Sequence, residues 1–314
     1  MTMWGRADSE YQCTLTPGTL AKAGRELRED PDTRLLEVKT LRKRVEKIPG
    51  LKSRTDLEFL LAVLRAAKFD QERAYQSVKR HYEVRSDVSV FADLKPTRVR
   101  HFLEQGLMEV LEERNRDGCR VVILRGGRWE PGRYPVDDVI KLVYLILMQV
   151  SKEEESQVHG VHLIATLADT CWRHVADVTP STARKGLLMI QEAIPIRLKR
   201  VDFTDEPGYF AAFFALIKQF MKDKLLKRIT MHGDKLNKLH DVISPDFLPT
   251  DLGGKLPLCS NKKWTENFLS SDSLYEEDNK YGYVNMALNS EQTTSRSGDA
   301  GIEGLGGTFR KLDV

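Results

Sequence analysis

Three stretches decide the reading of this chain: GCRVVIL (118–124), VIKLVYLILMQV (139–150) and VHLIATL (161–167). The first and third are short β-branched runs, each bounded by turn residues, and read as strands. The Asn115-Arg116-Asp117-Gly118 turn precedes the first of them. The second stretch is a strongly apolar helix between the two. Further along, Thr179-Pro180-Ser181 starts a helix that runs to about Ala193, with a capping hydroxyl before a first-turn proline. Val201–Thr204 is a short strand, Pro207 to about Phe220 a helix, and Ile229–Met231 another strand. Strands alternating with helices imply an α/β unit over about 95–260, with a mostly parallel or mixed sheet and crossover helices.

Residues 1–94 read as helices only. Thr16-Pro17 and Thr55-Asp56 are helix starts. Leu35, Val38, Leu41, Val45 and Ile48 recur every three to four residues, with Arg42, Lys43, Arg44 and Lys47 on the other face. Leu57, Leu60, Leu61 and Leu64 form a second buried stripe, and Ala74, Val78 and Tyr82 a third. Residues 261–314 form a C-terminal extension in which order is expected to weaken beyond Asp272. Between Ser290 and Thr308, 11 of 19 residues are Gly, Ser or Thr, which is linker composition and predicts a flexible tail.

The 314 residues carry 41% hydrophobic and 30% charged side chains and a net charge of +3. This composition excludes a disordered polyampholyte, a collagen-like chain and a disulfide-rich miniprotein. Cys13, Cys119, Cys171 and Cys259 are too scattered for a zinc or disulfide framework and read as free thiols. The N-terminus lacks a signal-peptide core. The longest charge-free apolar runs, Leu142–Ser151 and Pro207–Ile217, fall short of the roughly 20 residues a membrane span needs. A soluble intracellular protein is expected.

The motifs of phosphate-binding loops, metalloproteases and nucleophile elbows are absent. His232, in Met231-His232-Gly233 at a strand end, is a possible base without an obvious carboxylate or nucleophile partner in sequence. No enzymatic activity, metal or cofactor is therefore expected.

The informative segment is Pro207–Phe220. Phe210, Phe213, Phe214 and Ile217 share one helix face, and Tyr209, Leu216 and Phe220 widen the apolar surface. Two readings fit: a fully buried core helix, or a lid whose inner face covers an apolar ligand and whose outer face meets a membrane. Around it, residues 197–228 hold eight basic side chains against four acidic ones. Positive charge is thus concentrated beside the most apolar helix, which suits a surface facing anionic lipid.

Beside this reading stands a resemblance. Leu64-Arg65-Ala66-Ala67-Lys68-Phe69-Asp70, followed by Ala74, is similar to the L-R-A-R-x-F-D…A signature of the CRAL-TRIO lipid-binding family. The Arg116-Asp117-Gly118 turn, its strand and Trp129-Glu130-Pro131 resemble that family's D-x-x-G-R…W-D-P stretch in altered form. Thr179-Pro180-Ser181, Pro195, Met231-His232-Gly233, Leu248-Pro249 and Gly253-Gly254 follow in the family's order. The likeness covers about residues 15–270 and points to the group of the tocopherol carrier, clavesin and cellular retinaldehyde-binding protein. The chain's ending resembles invertebrate members.

The resemblance implies a cage for one hydrophobic lipid, floored by the sheet and closed by a mobile helical gate at about 205–228. Family pocket positions fall on Ile140, Val143, Leu147, Val161, Ala165, Val178, Met189, Ile190, Ile194, Ile196 and Val201, all apolar here. The gate side chains are Tyr209, Phe210, Phe213, Phe214, Leu216 and Ile217. The phosphoinositide-binding positions are Arg197, Lys199, Lys224 and Arg228. Three departures stand out. Ala67 replaces the second arginine of the signature, and Thr166-Leu167-Ala168-Asp169 replaces the D-L-E-G turn. Val143 and Leu147 replace two pocket serines of the tocopherol carrier, so a chromanol head group would lose polar partners there. The implied function is an intracellular carrier of a tocopherol-, retinoid- or phosphoinositide-like lipid that exchanges cargo at membranes. It would be cytoplasmic and peripheral on endosomal or other intracellular membranes, with no nucleic-acid partner. The alternative is a non-transporting phosphoinositide-binding adaptor or sensor in membrane trafficking, with a protein partner on the 281–314 tail.

Overall fold

The computed structural model describes residues 8–86, 88–91 and 93–284. The expected flexible tail and its docking end from residue 285 onward lie outside the described residues. The N-terminal part is helical, with α1 at Pro17–Leu27, α2 at Arg34–Val45, α3 at Leu57–Ala67 and α4 at Gln71–Arg85. The Thr16, Asp56 and Asp70 side chains cap α1, α3 and α4 by accepting backbone N–H bonds, the role for which short oxygen side chains are selected at these positions. Val38, Leu41, Val45, Leu60, Leu64, Ala74, Val78 and Tyr82 meet in one core. Leu35 does not join them and is 39% exposed. Arg34 takes the buried turn position instead, because Glu29 neutralises it at 2.6 Å.

The second part is built on a five-stranded sheet whose strands lie side by side in chain order. A two-residue strand β1, Leu51–Lys52, precedes it in the chain. The sheet strands are β2 at Met108–Arg114, β3 at Arg120–Arg125, β4 at Val161–Thr166, β5 at Leu198–Thr204 and β6 at Ile229–Met231. β2 is antiparallel to β3, and the remaining neighbours are parallel, so the sheet is mixed as expected. The crossover from β3 to β4 carries the helix α5, Val136–Val150, and α6, Glu154–His159. The crossover from β4 to β5 carries α7, Trp172–Ala176, and α8, Pro180–Leu188, which runs into a π-helical turn, Met189–Ala193.

Strand alternation sorts the sheet's two faces. Val122, Val161, Leu163 and Val201 join α5 in the largest core. Val121, Ile123 and Ile164 face the other way, under Leu239, Ile243, Leu248 and Leu252. On that second face, His162 Nε2 lies 2.8 Å from an oxygen of Asp202, and His232 Nε2 lies 3.3 Å from the other. His232 therefore has a carboxylate neighbour that its sequence surroundings hide, and all three side chains are sealed from solvent. The His162 and Arg200 hydrogen bonds outweigh burial and pull the Asp202 pKa down to about 2.

Order also extends further than expected. Helices α9, Phe210–Ile217, and then α10, Lys262–Leu269, and α11, Asp272–Asp278, precede β7, Gly282–Tyr283. β7 pairs antiparallel with β1. Asp278, between Arg54 and Arg85 at 3.2 and 2.6 Å, ties this extension to the N-terminal helices.

Candidate functional site: an apolar wall, a surface helix and a cationic cleft

Ten of the eleven predicted pocket residues fall into the one large apolar cluster on the α5 face of the sheet. Ile140, Val143 and Leu147 lie one turn apart on α5; Val161 and Val201 come from β4 and β5. Met189, Ile190, Ile194 and Ile196 come from the π-helical turn and the segment after it, and Val178 from the approach to α8. Ala165 is buried on β4, on the same side as Val161 and Leu163 by alternation. The wall also includes Leu163, Phe203, Leu225 and Ile229, which the sequence reading did not name. Period-two alternation along β4 and β5 would have found the first two.

The Pro207–Phe220 segment is not a buried core helix. Its helical part is Phe210–Ile217, followed by a 3₁₀ turn at Lys218–Phe220. Only Phe210 and Ile217 are buried; Phe213 and Phe214 are half-buried, and Ala211, Ala212, Ala215 and Leu216 are exposed. Leu216 is 43% exposed. A helix of eight uncharged residues thus presents Ala211, Ala212, Ala215 and Leu216 to the outside, an arrangement suited to an apolar neighbour there. On the inside, Phe210 and Phe214 pack on Phe203 of β5, with ring centroids 5.1 and 6.3 Å away.

Both ends of α9 are tethered by polar bonds. The Glu206 carboxylate accepts from the backbone N–H groups of His232 and Gly233 at 3.0 and 2.5 Å. Tyr209 donates from its hydroxyl to Thr170 Oγ1 at 2.9 Å. At the far end, the Gln191 amide donates to the Phe220 carbonyl and accepts from the Lys222 N–H. The loop that carries Thr170 contains the altered turn, in which Asp169 has a φ of 61°. A non-glycine residue pays about 1–2 kcal/mol for that left-handed conformation.

Beside α9 opens a cleft of about 400 Å³ between α3, α4 and the 190–198 segment, closed on its third side by residues 222–228. Arg73, Arg197, Lys222, Lys224 and Arg228 line it, with Glu72 and Glu192 as its only acids among the lining residues. Both acids are already paired, Glu72 with Arg44 and Glu192 with Lys222, each at 2.5 Å. Arg197 is buried and reaches the Val158 carbonyl, and Arg228 reaches the Leu198 carbonyl. Lys224 is exposed and has no carboxylate within ion-pair distance among the described residues. Partial desolvation and the neighbouring cations Arg228, Arg73, Lys68 and Arg197 push its ammonium pKa down. Burial likewise lowers the pKa of Arg197 and of Arg228. At Lys224 the neighbouring cations add to desolvation, and like charges held together in this way make a field that favours an anion.

The structure therefore brings three of the four predicted basic residues into one cleft. The fourth, Lys199, is not among the lining residues; it pairs with Glu26 at 3.1 Å. Arg73 was not predicted to be part of the cleft, and Ala67 lies in its wall. Ile190, Ile194 and Ile196 line the cleft and also belong to the apolar wall. One layer of side chains thus separates a cationic surface from an apolar interior. Among the described residues no cluster of His, Cys, Asp and Glu is arranged to hold a metal, and no helix is long and apolar enough to cross a membrane.

Comparison with known proteins agrees with this architecture. Residues 104–254 match the family model of the CRAL/TRIO domain. The human alpha-tocopherol transfer protein-like protein is 36% identical over 264 residues, covering 83% of this chain and 77% of that one. Mouse clavesin-1 is 32% identical over 292 residues, covering 91% and 82%. Among solved structures, Sfh5 superposes with a TM-score of 0.52 at 14% identity, covering 79% of this chain and 99% of that one. That likeness concerns the fold alone.

Proposed function

We propose, from the premise that this chain belongs to the CRAL/TRIO domain family, that it is a non-enzymatic carrier of one hydrophobic lipid. The cargo sits against the α5 face of the sheet under α9, and exchange takes place at membranes bearing phosphoinositides. The observation that carries this reading is the placement of an uncharged surface helix over the apolar wall, next to a cleft whose acids are already paired. A tocopherol-, retinoid- or phosphoinositide-like molecule has the apolar surface the wall calls for.

Enclosing ~400 Å² of apolar ligand surface gains a gross ~10 kcal/mol relative to water. The donor, however, is a bilayer, which is already apolar. The net preference for the protein is therefore small and set by shape, which is what a reversible carrier needs. Arg197, Lys224 and Arg228, with Arg73, attract anionic head groups and bring α9 to the lipid surface, where its exposed Leu216 and alanines replace water by acyl chains. Binding of the membrane to the open form of the gate favours that form and so promotes cargo exchange.

The test is transfer of a fluorescent isoprenoid lipid between vesicles. The carrier reading expects transfer proportional to protein and faster to acceptor vesicles that contain phosphoinositide. A protein that binds such vesicles but moves no lipid would instead be an adaptor.

A further inference from the structure

Gln191 and Glu192 stand where the apolar wall, the gate and the cleft meet. Both belong to the π-helical turn Met189–Ala193, and both line the cleft. Such turns recur at functional positions because they break the regular ladder of a helix. Gln191 uses its whole amide. Its nitrogen donates to the carbonyls of Leu187 and Phe220, each at 3.1 Å, and its oxygen accepts from the Lys222 N–H at 2.7 Å. Phe220 closes the last turn of the gate segment, so one side chain holds that end to the wall. Next to it, Glu192 Oε1 lies 2.5 Å from Lys222 Nζ, with the two side chains 21% and 60% exposed. The turn itself is braced from behind, since His81 on α4 donates from Nδ1 to the Ala193 carbonyl at 2.5 Å.

We propose that Gln191 and Glu192 form a latch that keeps the gate shut, and that Glu192 is a resident competitor which a phosphate head group displaces from Lys222. This rests on the reading of the cleft as an anion site. Lys222 has a long flexible stem and sits on the same cleft rim as Lys224 and Arg228. An anion placed among Arg197, Lys224 and Arg228 attracts Lys222 and repels Glu192. The ion pair opens at modest cost because its Lys222 partner is 60% exposed. The backbone of Lys222 carries one of the Gln191 bonds, so movement of this residue loosens the remaining tether on the gate. The anion thus acts at the joint between its own site and the helix that covers the wall.

The experiment is amide hydrogen exchange over residues 213–222 of the full chain. It compares the wild type, Glu192→Gln, Gln191→Ala and the charge-swapped E192K/K222E double variant. Each is measured with phosphatidylcholine vesicles and with the same vesicles containing phosphatidylinositol bisphosphate. With phosphatidylcholine alone, Glu192→Gln is expected to exchange about two- to fivefold faster than wild type, the size of one exposed ion pair. Gln191→Ala should exchange faster still, and the double variant should return to the wild-type rate. The ratio of the anionic to the neutral rate should fall in Glu192→Gln. An unchanged neutral rate overturns the latch. So does a ratio that rises, because removing an acid would then only have strengthened attraction to the anion. If Glu192→Gln loosens the gate while the wild type ignores anionic vesicles, the displacement and the anion reading fall together and the latch stands. The measurement needs no cargo, so it is independent of whether the protein moves lipid between vesicles.

Discussion

Lys224 offers the cleanest perturbation of the cleft. It is exposed, pairs with no carboxylate among the described residues, and is flanked by Arg228, Arg73, Lys68 and Arg197. Replacing it by Glu breaks no hydrogen bond in the structure, so folding stability should change by no more than about 0.5 kcal/mol. Each Lys or Arg near an anionic surface contributes about 1 kcal/mol, and reversing one removes about twice that. At about 1.4 kcal/mol per tenfold, Lys224→Glu should weaken binding to phosphoinositide vesicles about 30-fold. Sedimentation of the protein with vesicles at about 0.1 M salt, where screening acts over about 10 Å, measures this. The control is Lys238→Glu, an exposed lysine beside Leu239 on the opposite face of the sheet. It makes the same change in net charge and should cost little. Higher salt should shrink the difference between the two variants. Equal losses for both, or no loss for Lys224→Glu, would refute the argument that the cleft is where the membrane's charge is read.

Three further outcomes follow from the packing. Leu216→Glu places a charge on the outer face of α9, where the side chain is 43% exposed; thermal stability should hold while lipid exchange between vesicles slows. Arg65→Met leaves Glu29, whose side chain is 0% exposed, with Arg34 alone and removes bonds to Glu154 and Gln157. Denaturant unfolding should show a loss of about 3 kcal/mol, since a buried carboxylate loses a partner. His81 is held neutral: burial above all, then the nearby Arg85, drives its pKa from 6.5 to about 3. The unfolded chain takes up that proton between those values and the folded chain does not. This contribution is therefore fully present above pH 6.5 and is lost as pH falls towards 3, at roughly 1.4 kcal/mol per pH unit. Urea midpoints measured against pH should lose that slope in His81→Phe.

Four of the five sheet strands and the helices between them were legible because those strands carry their own signal. Val121–Leu124 and Val161–Leu167 are β-branched runs between turns, and both became parallel neighbours in the sheet. Met108–Arg114 was missed because Glu109, Glu112, Glu113 and Arg114 disguise it. Glu109 is buried there because Arg125 meets one carboxylate oxygen at 2.8 Å and the Ser260 N–H donates to the other at 2.9 Å. The order of residues 272–284 was equally invisible, since it rests on Asp278 finding Arg54 and Arg85, more than 190 positions away. The wall residues came from the family resemblance, and their apolar types are what that placement requires. In the cleft, the basic residues of 197–228 signalled charge, but Arg73 lies far off in sequence and joins them only through the packing of α4. The pairing of Lys199 with Glu26 has the same origin: α1 supplies the acid, and no local pattern announces it.

The central claim is that one apolar lipid occupies the space between the sheet and α9. Native mass spectrometry of the protein purified from its own tissue, with extraction and identification of what it releases, tests that claim most directly. The account predicts a single hydrophobic molecule per chain, retained in gentle ionisation and lost more readily from Glu192→Gln than from wild type. A protein that flies consistently at its bare mass, with no extractable lipid at matching stoichiometry, would contradict it.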